Sequence, residues 1–391
     1  MSTIVLLGGN QRSTLAVTRS LGRRGLRLII GDRSKRSLAG QSRYCSARFQ
    51  YPDPFDAPEA FVDAVSAACQ AQHATMLLPT TDIDTQVVLE HAARFPGVNL
   101  PFAPYATINQ LADKYQLMQL ASQLGVAIPK TWYIDDPATL DSLLPEITYP
   151  VIIKPAASVI KHEGRWLASR VQRADSEAEL KSIITHSRYL THHRFMLQQY
   201  IAGHGQGIFT LYDHGRPVTF FSHQRLREKP PAGGVSTFSR SVAVDPALQT
   251  IAEQILGQVD WHGVAMIEFR IADDGTPYLM EINTRFWGSL QLAIDAGIDF
   301  PWLLYLQATG QPLPAASDYR LDQKLRWLLG DLDHLYLVWR DRDHQYDLAD
   351  KRRVLAQYMN FFTGTTRYET LRLNDPRPFL FELRNYFFTK N

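Results

Sequence analysis

The sequence predicts an α/β protein that is built from more than one packed unit, and three observations lead to this prediction. The chain has 391 residues, of which 45% are hydrophobic and 20% charged, an ordinary composition for a globular protein. Short apolar strands alternate with helical segments over the first hundred residues, whereas later segments form strand pairs joined by tight turns. A chain of this length divides into two or three units rather than packing around a single core.

Charge and cysteine content limit the classes of partner and compartment. Lysine plus arginine total 41 against 39 acidic residues, a balance that gives no reason to expect a nucleic-acid partner. Residues 1–50 nevertheless hold ten basic residues and a single acid, Asp32, which indicates either a solvated basic face or an anionic small substrate or partner. The two cysteines have no disulfide or metal spacing, and no apolar run is long enough for a membrane span or a signal peptide. We therefore expect a cytoplasmic protein without a transmembrane segment.

The first hundred residues predict a layer with a parallel sheet. Apolar strands are expected at IVLLGG (4–9), LRLIIGD (26–32) and ATMLLPTTD (74–82), with helices between them. The glycine turn after the first strand departs from G-x-G-x-x-G, so the dinucleotide-binding fingerprint is incomplete. We interpret residues 1–104 as a Rossmann-like layer that ends at the proline-marked segment LPFAPYA.

A predicted β-hairpin, VAMIEFRIADDGTPYLMEIN (264–283), carries two carboxylates. Pairing Ala272 with Pro277 across the turn places Glu268 opposite Glu281, where like charges repel at about 5 Å. Two opposed carboxylates and an amide, Asn283, form an oxygen ligand set that suits Mg²⁺. Arg285 follows the second strand, where a phosphate bound to that metal would lie. The alternative is a solvated edge hairpin with a surface arginine.

Two lysines and one loop are further candidates for binding anions. Lys154 ends the strand VIIK, and Lys114 lies at the start of a helix predicted over 112–131; each also fits a surface lysine whose stem packs on apolar neighbours. A cation-rich strand end leads into the loop Gly233–Thr237, whose backbone N–H groups can face a phosphate or a carboxylate. A mobile hairpin with solvated charges is the alternative. The cations of this strand end are His223, Arg225, Arg227 and Lys229.

The order of these motifs resembles the ATP-grasp superfamily of carboxylate–amine ligases, and within it the proteins similar to the carbamoyl-phosphate synthetase large chain. The shared order is a lysine at a helix start, a lysine on VIIKP, QQYI-AG before a hairpin, a glutamate, and finally EINxR. The resemblance covers residues 105–310. It implies an ATP-grasp domain of two α+β subdomains over 105–312, after the layer at 1–104 and before a mostly helical C-terminal extension at 313–391.

The resemblance also implies a ligand set, with ATP as the nucleotide and Mg²⁺, or alternatively Mn²⁺, as the metal. The residues implied for ATP are Lys114, Lys154, the hinge residues Gln198, Gln199, Tyr200 and Ile201, and Gln206. The residues implied for the metal are Glu268, Glu281 and Asn283. The resemblance implies that Arg285 lies on the transferring phosphate. The chemistry also needs a cation near the acyl oxygen, for which Arg285 is the first candidate, followed by Arg225 and Arg227. No acid follows the hinge to hold the ribose, and the loop KPAASVIKHEG has less glycine than a typical phosphate lid, so ribose contact and lid closure stay open.

The chemistry implied is transfer of phosphate from ATP to a substrate carboxylate, followed by attack of an amine on the acyl phosphate. The alternatives are transfer to a hydroxyl or a second phosphate group, an ATP-binding regulator without turnover, and a scaffold that docks a partner. The aromatic tail, from Asp318 to Asn391, holds Trp327, Trp339 and FLFELRNYFF (379–388). It fits a cap on the site, a homodimer interface or a peripheral membrane contact, and the sequence does not choose among them.

Overall fold

The computed structural model describes residues 2–231, 233–315, 318–341, 346–359 and 364–388. Residues 2–104 form a four-stranded parallel sheet in the order β3-β2-β1-β4. The parallel strands predicted from the apolar runs are therefore observed, although β4 is shorter than its run. The elements are β1 (Thr3–Leu6), α1 (Arg12–Gly22), β2 (Arg27–Asp32), β3 (Ala47–Gln50), α2 (Pro58–Ala71), β4 (Met76–Leu78) and α3 (Asp82–Glu90).

Residues 105–199 form a second, antiparallel sheet in the order β5-β10-β6-β9, with a separate hairpin, β7-β8. The elements are α4 (Tyr105–Ala112), α5 (Lys114–Gln123), β5 (Thr131–Ile134), α6 (Leu140–Leu143), β6 (Val151–Pro155), β7 (Val159–His162), β8 (Arg165–Ala168), β9 (Gln172–Ala174), α7 (Glu177–Thr185) and β10 (Phe195–Gln199). The helix predicted in the segment 112–131, with its end at Gly125, begins at Lys114 rather than at residue 112. Asp113 interrupts it, because its carboxylate accepts the N–H groups of Tyr115 and Gln116 and caps α5.

The remaining residues build a seven-stranded sheet in the order β15-β14-β11-β12-β13-β16-β17. Its elements are β11 (His204–Asp213), β12 (Arg216–Lys229), β13 (Val235–Val242), α8 (Pro246–Gln258), β14 (Gly263–Ile271), β15 (Pro277–Asn283), α9 (Leu290–Ala296), α10 (Phe300–Ala308), β16 (Lys324–Arg326), α11 (Leu328–Trp339), α12 (Leu348–Met359), β17 (Thr366–Tyr368) and α13 (Arg377–Phe388). The hairpin predicted at Asp213–Gly215 is present, and His214 and Gly215 both have positive φ angles in its turn.

The segment after residue 312 contributes strands as well as helices. Strand β16 pairs antiparallel with β13, and β17 pairs parallel with β16, so both extend the large sheet. These two short strands are not predicted from the sequence, since three residues are too few for an alternating pattern. The division of the chain at residues 104 and 312 stays a prediction.

One buried arginine connects this C-terminal segment to the N-terminal layer. Arg19 on α1 is 1% exposed and donates to the Asp375 carboxylate at 2.9 Å. It also donates to the backbone carbonyls of Glu369, Thr370 and Asp375. Part of the basic excess in residues 1–50 therefore joins the two ends of the chain rather than forming a solvated face. Within the described residues, no helix is long and apolar enough to cross a membrane.

Candidate active site

A cavity of about 670 Å³ lies on one face of the large sheet, and most of the predicted catalytic and metal residues line it. Its wall on β14 and β15 carries Glu268, Glu281 and Asn283, and its opposite wall on β12 carries Arg225. Between these walls, β11 presents Gly205, whose missing side chain leaves the backbone open to the cavity. The loop after β12, including Gly233 and Gly234, closes one side.

The two glutamates face each other as the sequence predicts. Strands β14 and β15 pair so that Glu268 lies opposite Glu281. The turn itself differs from the prediction by one residue, since Pro277 pairs with Ile271 rather than Ala272. A register shift between Glu268 and Phe269 adds the residue back, and the two carboxylates return to one face.

Protein cations hold both carboxylates. Lys114 Nζ lies 3.0 Å from Glu281 Oε2, and Arg225 Nη2 lies 2.6 Å from Glu268 Oε2. Lys154 reaches the same place from the second sheet, with its Nζ 3.7 Å from Met280 Sδ. The two predicted lysines therefore converge on the carboxylate pair, although they come from different elements of the chain.

The electrostatics of this cluster follow from burial and from these pairs. The Lys114 charge, only partly opposed by burial, lowers the pKa of Glu281 to about 2. Burial raises the pKa of Glu268, and Arg225 offsets that effect in part. Burial lowers the pKa of Lys154 to about 8, against the pull of Glu281. Burial thus opposes the charged form of each of these three side chains, and pKa values shifted in this way are common at functional sites.

Arg285 is fixed by a residue that sequence analysis missed. Its guanidinium makes a bidentate pair with Asp82, with Nε–Oδ1 at 2.7 Å and Nη2–Oδ2 at 2.8 Å. Asp82 begins α3 directly after β4, at the carboxyl end of a parallel sheet, where ligands commonly bind. That position was the signal that could have found Asp82, because its distance from Arg285 along the chain gives none.

Arg227 lies outside the cavity, contrary to its predicted catalytic role. It pairs with Asp331 through Nε and Nη2, both at 2.6 Å, in a buried cluster with Arg326. Regular alternation would place Arg225 and Arg227 on one face. Register shifts between Arg225 and Glu228 turn Arg227 away and bring Glu228 to the cavity instead. The geometry supports Arg225 as a site residue and gives no support for Arg227.

The residues predicted to hold adenine differ in burial and in their contacts. Gln198 is buried, with its amide donating to Thr131 Oγ1, whereas Gln199 is exposed. The ring of Tyr200 lies under the Arg173 guanidinium at 5.0 Å, and the carbonyl of Ile201 accepts from Arg270 Nε. Their nucleotide role stays a prediction.

Gln206 alternates with Gly205 on β11 and does not line the cavity. Alternation along the strand therefore gives no support for its predicted nucleotide contact.

The donor set at the glutamate pair fits a magnesium ion. The Asn283 amide lies 3.2 Å from Glu268 Oε1 and 3.4 Å from Glu281 Oε1, so it bridges the two carboxylates. A 180° rotation of the Asn283 amide group presents its oxygen in place of its nitrogen. Two carboxylate oxygens and one amide oxygen then converge, which is the all-oxygen chemistry that Mg²⁺ prefers.

Comparison with known proteins indicates an ATP-grasp fold. Residues 191–330 match the family described as ATP-grasp in the biosynthetic pathway with Ter operon. N5-carboxyaminoimidazole synthetase from Staphylococcus aureus, solved with ADP, superposes with a TM-score of 0.64 at 16% identity, over 83% of this chain and 80% of that one. L-amino acid ligase from Bacillus licheniformis superposes with a TM-score of 0.63 at 19% identity, over 83% and 78%. The predicted resemblance to ATP-grasp proteins is confirmed.

One relative is also similar to this chain in sequence. The arginine-specific carbamoyl phosphate synthase large chain of Bacillus subtilis is 24% identical over 211 residues, which are 52% of this chain and 19% of that protein. The chain thus spans about a fifth of the length of this relative. The likeness to this class of large chain, predicted from the motif order, is present in the alignment.

Proposed function

We propose that this protein is an ATP-dependent ligase that activates a substrate carboxylate as an acyl phosphate and joins it to an amine. The observation that carries the proposal is the opposed pair Glu268 and Glu281, with Asn283, on a cavity into which cations converge from three parts of the chain. Like charges that lie opposite each other on paired strands are destabilising, so this arrangement needs a functional explanation. ATP-dependent ligation is consistent with the relatives, which include an amino acid ligase and a protein solved with ADP.

The residues have separate roles in the proposed reaction. Glu268, Glu281 and Asn283 hold Mg²⁺, or alternatively Mn²⁺, which neutralises charge on the transferring phosphate when bound. Lys114 and Lys154 move from the carboxylates to the phosphates of ATP, and Lys154 is protonated near neutral pH because its pKa is about 8.

The arginines orient the reacting groups. Arg285, held in one orientation by Asp82, donates to the terminal phosphate through its guanidinium, and Arg225 faces the acyl oxygen across the cavity. A substrate carboxylate oxygen attacks the terminal phosphorus and ADP leaves. An amine then displaces phosphate from the acyl carbon, which gives the amide. Catalysis is positioning and electrostatic stabilisation, without a protein nucleophile.

The domain division is part of the same proposal. Residues 1–104 supply Asp82, residues 105–312 supply the lysines, glutamates and arginines, and residues 313–391 support the sheet from its far edge. The protein acts on small molecules in the cytoplasm.

The test combines the protein with Mg·ATP, pooled carboxylate metabolites and hydroxylamine as the trapping amine, with products followed by mass spectrometry. ADP together with a hydroxamate is expected, and the mass of the hydroxamate identifies the acid. AMP would mean adenylation and would overturn the proposed mechanism. ADP with a phosphorylated alcohol would favour transfer to a hydroxyl, and tight ATP binding without any product would favour a regulator.

A further inference from the structure

Two buried side chains that line the cavity each have a ring nitrogen without a hydrogen-bond partner among the described residues. His223 is 1% exposed and its Nε2 is unpaired, while Trp287 is 2% exposed and its Nε1 is unpaired. Both residues line the cavity that holds the glutamate pair. Buried polar atoms are nearly always hydrogen-bonded, since an unpaired one costs about 1–3 kcal/mol. Two such atoms at one cavity wall point to a ligand that pairs with them.

Packing fixes the orientation of both rings. The Phe209 ring contacts His223 with a centroid distance of 4.5 Å, and it contacts Trp287 at the same distance. The Phe300 ring also contacts Trp287, with a centroid distance of 5.1 Å. Gly207 makes room for this arrangement, because a Cβ there would come within 3.0 Å of the Phe209 ring. Both nitrogens have almost no accessible surface, so a ligand reaches them only when the packing around these rings opens.

The sheet sets the distance between this wall and the metal residues. Gly207 pairs with Glu268 on one side and with His223 on the other. His223 and Glu268 thus lie two strands apart, about 9–10 Å between their backbones. A small molecule whose carboxylate lies at Glu268 can reach the His223–Trp287 wall with a group several bonds away.

The chemistry of the wall selects an oxygen acceptor. Trp287 can only donate. Ser289 Oγ lies 3.4 Å from His223 Nδ1, and if the hydroxyl donates there, the proton of the neutral ring lies on Nε2. Burial, assisted by Arg225, lowers the pKa of His223 and keeps the ring neutral. The guanidinium of Arg12, which pairs with the Glu369 carboxylate, lies beside Gly288, where a Cβ would be 3.1 Å from its Nη2. Donors and a cation therefore surround this end of the cavity.

We propose that the acid substrate carries a second oxygen-acceptor group, a carboxylate or a carboxamide, that Trp287 Nε1–H and His223 Nε2–H bind. This inference rests on the proposed ligase function for the identity of the cavity as the acyl site. It adds a substrate class, dicarboxylic acids and their half-amides, and two residues that determine specificity. The basic residue Arg12 contributes to the preference from the first fifty residues of the chain.

The experiment measures binding without turnover, with the full chain and a non-hydrolysable Mg·ATP analogue. Protein with ¹⁵N-labelled indoles is titrated with glutarate, its half-amide and pentanoate, which share one chain length. The protein has seven tryptophans, and Trp287→Phe assigns the Trp287 resonance. Glutarate or the half-amide should bind about tenfold or more tightly than pentanoate and shift that resonance downfield. Preference between glutarate and the half-amide tells a carboxylate from a neutral oxygen.

Matched variants separate recognition from folding. Trp287→Phe and His223→Phe should each reduce the preference over pentanoate by about tenfold. Trp261→Phe is the control, because Trp261 is equally buried but donates to the Gly263 carbonyl away from the cavity. Its removal should leave the preference unchanged, and in the wild type its resonance should not move. If Trp287→Phe unfolds, Ser289→Ala, which removes the Nδ1 partner of His223, should still weaken the preference.

Equal binding of the three acids, binding without a shift of the Trp287 resonance, or no binding of any of them would overturn the inference. The ligase proposal is judged separately by ADP and hydroxamate. Hydroxamate formation from acids without a second acceptor group would support the ligase proposal and refute the proposed substrate specificity. A clear binding preference for glutarate or its half-amide without any ADP formation would support the substrate specificity and count against the ligase proposal.

Discussion

Arg225 and Arg227 lie two residues apart on one strand, yet they belong to two ion clusters of opposite kind. Arg225 lies between Glu228 and Glu268, one cation for two carboxylates, with side chains that are 16–20% exposed at a cavity. Arg227 shares Asp331 with Arg326, two cations for one carboxylate, with side chains at most 8% exposed. Thr237 also donates to Asp331. The Asp331 cluster is closed and its acid is saturated with donors.

This difference indicates which cluster is built for ligands. A buried carboxylate with two arginines and a hydroxyl has no capacity left, so its role is to hold β12, β16 and α11 together. The glutamate cluster balances Glu228, Glu268 and Glu281 with one cation from its own sheet and two from outside it, and it lies beside open space. The three cations are Arg225, Lys114 on α5 and Lys154 on β6. An added cation and a polyanion can therefore exchange into the glutamate cluster, whereas the Asp331 cluster has no place for either.

The largest effect expected is on the open cluster. Glu281→Gln removes the carboxylate that Lys114 holds and that we assign to the metal, so turnover should fall by a factor on the order of 10³. The fold should survive, because the amide keeps the shape of the side chain. Circular dichroism and ADP formation measure the two properties. Normal turnover by this variant would refute the metal assignment and erase the distinction between the two clusters.

The closed cluster should respond in the opposite way. Arg227→Met leaves Asp331 with one cation, Arg326, among the described residues, and breaking a buried pair should reduce the free energy of unfolding by about 3 kcal/mol. Turnover per folded molecule should remain. Arg225→Met is the matched change on the cavity face, and it should lower turnover by about 100-fold with a smaller loss of stability. Urea denaturation together with ADP formation distinguishes the pair, and a catalytic defect in Arg227→Met would restore the catalytic role that the geometry does not support.

A buried acid without an ion pair among the described residues provides a further test. Asp84 accepts from the Tyr51 hydroxyl at 3.1 Å, and burial raises its pKa to about 7. The folded protein then binds more protons than the unfolded chain between about pH 4 and pH 7, so stability should fall as the pH rises through that interval.

Asp84→Asn should flatten this pH dependence and stabilise the protein at pH 8 by roughly 2 kcal/mol, less than the full shift, because the amide forfeits the favourable position of an acid at the start of α3. Thermal denaturation of both proteins between pH 4 and pH 8 measures it. Asp53→Asn, which changes a more exposed carboxylate, is the control. Parallel pH profiles for wild type and Asp84→Asn would contradict the assigned cause.

The smallest effect expected concerns orientation. Asp82→Asn keeps the size of the side chain but weakens one of its two bonds to Arg285, so turnover should fall by about tenfold and stability should hardly change. Turnover of Arg285→Lys should fall further, since an amine cannot replace both hydrogen bonds to Asp82. Steady-state kinetics with saturating ATP provide the measurement. Equal turnover in wild type and Asp82→Asn would mean that Arg285 needs no support from the N-terminal layer.

The sequence alone determined the local features of this protein. The apolar runs, the turn at Asp213–Gly215 and the alternation along MEIN specified the strands and placed Glu268 and Glu281 on one face, because these patterns depend on neighbouring residues. The order of the motifs was sufficient to predict the ATP-grasp resemblance. The predicted turn was wrong by one residue, yet the two glutamates still face each other because of the register shift after Glu268. No sequence pattern predicted that shift.

Only the tertiary structure decided which side chains meet across the molecule. The pairing of Arg285 with Asp82 joins residues 203 positions apart, and a β-bulge, not composition, sends Arg227 to Asp331. The unpaired nitrogens of His223 and Trp287 became visible only when every neighbouring donor and acceptor had a position. Hydrogen bonds and ion pairs act within a few ångströms regardless of separation along the chain, so a sequence supplies the candidates and the fold selects the partners.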